Sequence, residues 1–135
     1  MARKSLLARL ATNGLTPDKV ALLGFSQGAC LALEFAARNP MRYGAVCALS
    51  GGLIGDTLDR ARYQGSLAGT PVFLGCSDND AHIPLARVNE STAIMRELGG
   101  EVTEAIYPGM GHTINEDEVD HVRRLLGLMA GEAPE

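Results

Sequence analysis

Tryptophan is absent from this chain of 135 residues, and phenylalanine and tyrosine occur three times each. A core must therefore be packed from aliphatic side chains and alanine. Positive charge is also scarce. Twelve Lys and Arg face 16 Asp and Glu, giving a net charge of −4 with no basic block, which argues against a nucleic acid partner. No apolar run approaches the roughly 20 residues that a membrane-spanning helix requires. The start, Met1 to Leu7, sets a basic pair before leucines, but Arg9 and Asn13 break the apolar stretch, so no secretory signal is expected. Cys30, Cys47 and Cys76 are odd in number and fall inside predicted helices or strands. They read as buried, reduced thiols of a cytoplasmic protein, not as a disulfide frame or a metal site. With 46% hydrophobic and 21% charged residues, the composition fits one globular domain over 1–135, frayed from 131 onward.

What the chain does have is a G-x-S-x-G, Gly24-Phe25-Ser26-Gln27-Gly28. Apolar residues from Val20 run straight into it, and an Ala/Leu-rich helical pattern follows at once. A sharp strand-to-helix turn forces its middle residue into a strained backbone, and side chains two positions away on either side would collide with it. The pattern makes Ser26 a candidate nucleophile, held at the end of a strand and the start of a helix.

Around it the spacing predicts a regular alternation. A helix over 2–13 ends at Gly14, a strand spans Val20 to Phe25, and a helix covers Gln27 to Asn39 with Cys30, Leu31, Leu33, Phe35 and Ala36 apolar. A continuous strand, Ala45 to Leu49, precedes a loop from Ser50 to Thr70, and Pro71 to Cys76 is a third strand. Pro84 opens a helix with Leu85, Val88, Met95 and Leu98. Val102 to Tyr107 mixes apolar residues with glutamate as an edge strand does. The last helix begins at Asn115, with Glu118 as capping-box partner and Val119, Val122, Leu125, Leu126 and Met129 as its core stripe. The fold class is α/β: about four parallel strands with helices on both faces.

Ligands of such sheets bind at the carboxyl ends of the strands. Ser26, Ser50, the pair Asp78 and Asp80, and His112 each follow a predicted strand, so all fall on one sheet edge. A serine hydroxyl needs a base within hydrogen-bond reach, and His112, after the glycine turn Tyr107-Pro108-Gly109-Met110-Gly111, is the best placed. A carboxylate should orient that base; Asp80 is the choice and Asp78 its competitor. The order serine, acid, histidine is the one expected after such an elbow. Asp78-x-Asp80-x-His82 could also be read as metal ligands, but alternate loop residues do not by themselves converge on one ion. His121 reads as a surface residue, and Glu116, Asp117 and Glu118 as the acidic first turn of a helix.

Four segments in order carry a family resemblance: Gly24-Phe25-Ser26-Gln27-Gly28-Ala29, Ala48-Leu49-Ser50-Gly51, Asp78-x-Asp80-x-x-Ile83-Pro84, and Tyr107-x-Gly109-x-Gly111-His112. Together they resemble the phospholipase/carboxylesterase family, to which acyl-protein thioesterases belong, within the α/β-hydrolase fold. The resemblance implies Ser26 as nucleophile, Asp80 as acid, His112 as base, and the backbone N–H of Gln27 as an oxyanion donor. It implies an acyl pocket lined by Leu53 and Ile83, and neither cofactor nor metal. Family members carry several strands ahead of the elbow and a loop there that gives a second oxyanion N–H. Only one predicted helix precedes Val20 here, so the expectation is a truncated α/β-hydrolase.

The expected activity is hydrolysis of short acyl esters or thioesters through an acyl-serine. A lactone hydrolase would share the triad, and a non-catalytic half-hydrolase would keep the fold alone. The chain is expected to form at least a dimer, with the open Val20–Phe25 edge strand or its neighbouring helix in the contact.

Overall fold

In the computed structural model, residues 14–131 are described. The helix expected over 2–13 and the tail beyond 131 lie outside them. The elements run β1 (Ala21–Phe25), α1 (Gln27–Arg38), β2 (Ala45–Leu49), β3 (Pro71–Ser77), α2 (Leu85–Glu97), β4 (Glu101–Tyr107) and α3 (Glu116–Met129), with short 3-10 turns at Pro17–Lys19 and Arg60–Arg62. The boundaries shift from expectation by a residue where caps decide them. Asn39 caps α1 rather than extending it, and Pro84 is the N-cap of α2.

The four strands form one parallel sheet in the order β1-β2-β3-β4. Alternate residues of β2 and β3 divide between two cores because strand side chains alternate in direction. Val46, Ala48, Val72, Leu74 and Cys76 face α1, α2 and the segments before and after β2, where Leu33, Tyr43, Leu53, Leu67, Val88 and Met95 are buried. Ala45, Cys47, Leu49 and Phe73 face the smaller core under α3, with Val122. Helices therefore cover both faces, as the continuous apolar pattern of β2 requires.

The long segment between β2 and β3 is packed rather than loose. Glu34 of α1, almost fully buried, accepts hydrogen bonds from the Ile54 N–H at 2.9 Å and the Tyr63 hydroxyl at 2.9 Å, and pairs with Arg38. From α2, the Ser91 hydroxyl accepts from the Leu53 N–H at 2.8 Å, and Arg87 donates to the Leu53 carbonyl at 2.9 Å.

Several packing expectations fail. Leu31 on α1 is 39% exposed and Leu126 on α3 is 39% exposed, because each lies on the outer side of a helix that covers only one sheet face. On α3 only Val122 of the expected stripe is buried, Val119, Leu125 and Met129 being half-buried. His121 is half-buried and not free on the surface: its ring stacks on Phe73 with centroids 4.4 Å apart. Cys47 and Cys76 are buried, and burial raises both thiols to about 11. Cys30 is only half-buried and lines a cavity. None of the described helices is long and apolar enough to cross a membrane.

Candidate active site

Strand β1 delivers Ser26 into a backbone conformation of φ 59° and ψ −117°, a region that side-chain-bearing residues rarely occupy. Two main-chain bonds hold it there. The Ser26 N–H donates to the Leu49 carbonyl at 2.8 Å, and the Ser26 carbonyl accepts from the Cys30 N–H at 3.1 Å. A Cβ on Gly24 would overlap the Gly28 backbone, which explains the first glycine. The second has a different status. A Cβ on Gly28 meets nothing within 4 Å among the described residues, so the expected collision exists on one side of the serine only. A third glycine matters instead. A Cβ on Gly51 would overlap Ala29 and crowd the Ser26 carbonyl, so the turn after β2 packs directly under the elbow.

Asp80 and His112 come from the loops after β3 and β4. His112 Nε2 lies 2.8 Å from the Ser26 hydroxyl, and its Nδ1 lies 2.6 Å from Asp80 Oδ2. The network assigns the proton on Nδ1, which donates to Asp80, leaving Nε2 to accept from the serine. The Asp80 side chain is fully buried, and its second oxygen accepts from the backbone N–H of His82 at 2.7 Å and of Ile83 at 3.2 Å. Burial pushes the Asp80 carboxyl up, but the bonds from His112, His82 and Ile83 outweigh it and hold the group below its ordinary value.

Asp78, the competing acid, has a separate place. Its Oδ1 accepts from the Gly109 N–H at 2.9 Å, while the Gly111 N–H donates to the Ser77 hydroxyl at 2.8 Å and to Asn79 Oδ1 at 2.9 Å. The loop after β3 thus grips the loop after β4 just before His112. Gly109 and Gly111 adopt φ of 64° and 77°, which lets the second loop present both N–H groups. On the other side the buried Ser50 hydroxyl donates to the Thr113 carbonyl at 3.3 Å. Ser50 was expected on this sheet edge but without a role; the supporting roles of Ser77 and Asn79 were not foreseen, and the run Ser77-Asp78-Asn79-Asp80, dense in loop-forming polar residues, was their one visible signal. The imidazole of His112 is flanked by the rings of Phe25 and His82, at centroid distances of 4.9 and 4.5 Å. The alternation Asp78-x-Asp80-x-His82 does not converge, since its two carboxylates address different partners.

Beside this cluster is a cavity of about 470 Å³, lined by Cys30, Leu53, Ile83, His82 and Arg87 among others. Leu53 and Ile83 line one cavity, and Cys30 joins them as an unforeseen wall residue. Gln27 is the first residue of α1, so its N–H has no acceptor within the helix, the position at which helix N-termini bind anions.

A parallel sheet with a serine on a positive-φ strand-to-helix turn, and an acid and histidine on the following loops, defines an α/β-hydrolase fold. The chain belongs to the phospholipase/carboxylesterase family, whose sequence profile matches residues 2–129. The curated relatives include acyl-protein thioesterase 1 of Gibberella zeae, 28% identical over 90% of this chain and 53% of that protein. Acyl-protein thioesterase 1 of Debaryomyces hansenii is 32% identical over 86% of this chain and 51% of that one. Among solved structures, a phospholipase/carboxylesterase from Dyadobacter fermentans superposes with a TM-score of 0.87 at 39% identity, covering 91% of this chain and 59% of its own. The chain spans about half the length of the curated relatives it matches.

Proposed function

We propose that the chain is a serine carboxylesterase or thioesterase acting on short acyl esters. The observation that carries this is the unbroken series from the Ser26 hydroxyl through His112 to the buried Asp80 carboxylate, with the serine on a strained turn. Ser26 attacks the substrate carbonyl carbon as His112 Nε2 takes the hydroxyl proton. The Gln27 N–H donates to the developing oxyanion, and Asp80 stabilises the imidazolium. His112 then protonates the departing alcohol or thiol, leaving acyl-Ser26. Water, giving its proton to the same nitrogen, releases the acid and regenerates the serine. The thioesterase names of the relatives and the apolar walls of Leu53 and Ile83 support an acyl substrate.

Turnover of p-nitrophenyl acetate and butyrate that vanishes in Ser26→Ala is the expected result; full activity in that variant overturns the mechanism. A non-catalytic role is the second reading. Labelling of Ser26 by a fluorophosphonate separates the two readings, because a decayed site does not react.

A further inference from the structure

The two rings beside the base differ in chemistry. Phe25 offers His112 only carbon, whereas His82 offers two nitrogens at a centroid distance of 4.5 Å. His82 is exposed and also lines the cavity, so it stands between the base and the walls formed by Leu53 and Ile83. Its main chain is fixed by the triad carboxylate, since its N–H donates to Asp80 Oδ1 at 2.7 Å. That bond uses only a backbone N–H, which any residue but proline supplies, so the turn does not explain the imidazole.

Among the described residues neither ring nitrogen of His82 has a hydrogen-bond partner. The other ionic groups of the cavity are engaged. Arg87 donates to the carbonyls of Leu53 and Asp56 at 2.9 and 3.0 Å, and Glu90 lies 4.0 Å from both Arg60 and Arg87. Most of the remaining wall is carbon, from Leu53, Ile54, Ile83 and Pro84. His82 is thus a hydrogen-bonding side chain of the cavity wall whose ring nitrogens have no partner among the described residues.

We propose that His82 is a specificity-determining residue, hydrogen-bonding an oxygen function carried on the acyl group near the scissile carbonyl. The preferred substrate class is then hydroxyacyl or oxoacyl esters over unsubstituted acyl esters of equal length. This rests on the esterase reading of the same site. An acyl group bonded to Ser26 Oγ and directed toward Leu53 and Ile83 passes His82 with its first carbons. A plain chain leaves both ring nitrogens to solvent, while an oxygen near the third carbon takes up the imidazole N–H. A neutral bond at an exposed site is worth roughly 3- to 10-fold in kcat/KM.

The test compares p-nitrophenyl butyrate with p-nitrophenyl 3-hydroxybutyrate on the full chain, with wild type, His82→Leu and His82→Gln. The expected wild-type ratio of kcat/KM, hydroxy ester over plain, is roughly 3 to 10, carried mainly in KM. His82→Leu brings the ratio to about one, and His82→Gln, which keeps a donor and an acceptor, restores part of it. A ratio that stays the same in His82→Leu, including equal loss on both esters, overturns the proposal. Hydrolysis of neither ester by wild-type protein that also resists fluorophosphonate labelling overturns the esterase reading and this inference with it. Labelled protein with no preference overturns the inference alone.

Discussion

Strands β1 and β2 are five residues each, of similar composition, and pair in parallel register from Ala21↔Ala45 to Phe25↔Leu49. All of β2 is buried; none of β1 is, and Leu23 and Phe25 are 51% and 38% exposed. The difference is position. Among the described residues, β2 lies between two strands and under helices on both faces, whereas β1 ends the sheet and α3 packs over β2 and β3. Ser26 thus rides on the least covered strand, while Asp80 and His112 ride on loops clamped to each other. The β1 end is held by α1 and by the Ser26–Leu49 bond; the β3/β4 end is held by side chains gripping backbone.

The clamped end gives the largest expected effects. Asp80→Asn leaves the fold in place but spoils the tautomer of His112, and ester turnover should fall about 1,000- to 10,000-fold. Unchanged kcat would remove Asp80 from the site. Asp78→Ala frees the Gly109 N–H and lets the His112 loop shift; kcat should fall roughly 10- to 100-fold with KM little changed. Asp78→Asn, which keeps an acceptor oxygen, should recover most of it. Equal losses in both variants would mean that charge, not the grip on Gly109, is what Asp78 supplies.

The strand comparison is tested by truncation. Val46→Ala should cost about 2 kcal/mol in urea unfolding, from lost burial and the space left behind. Leu23→Ala should stay within about 0.5 kcal/mol. A large loss at Leu23 would mean that β1 is covered in solution. We propose that a second copy does this by pairing along the free edge, so light scattering should give a dimer that Leu23→Arg converts to monomer. A wild-type monomer at micromolar concentration removes that proposal.

The smallest effect concerns Glu118. Its Oε1 accepts from the Asn115 N–H at 3.0 Å in the capping box, but Oε2 is buried against Gly75 without a partner among the described residues. Burial raises this carboxyl above its ordinary value, with Asp117 adding to the shift and the Asn115 bond opposing it. A raised acid stabilises the fold fully below its unfolded pKa of about 4.3, and that contribution is lost as pH rises through the folded value. The stability difference between wild type and Glu118→Gln should therefore move in favour of the variant between pH 4 and pH 7. A difference that does not change with pH would show that the carboxyl titrates as it does unfolded. Asp80 has the opposite sign: its stabilising bonds are present above about pH 3.9 and are lost as pH falls through its depressed value.

Much of this was legible in the chain. The apolar run into Gly24-Phe25-Ser26-Gln27-Gly28 set the elbow, because the period of apolar residues and the tolerance of glycine for close approach are local properties. The order of strands and helices, and the placing of Ser26, Asp80 and His112 on one edge, follow from alternation alone. The capping box of Asn115 and Glu118 was local too. Tertiary structure decided what depends on contacts between distant segments. It separated Asp80 from Asp78, two residues of one type in one loop, by which of them reached His112 and which reached Gly109. It made Gly51, not Gly28, the second tight glycine of the elbow, and exposed Leu31 and Leu126 while burying Glu118. Periodicity says which residues share a face, but only the packing of the whole sheet says whether that face meets protein or water.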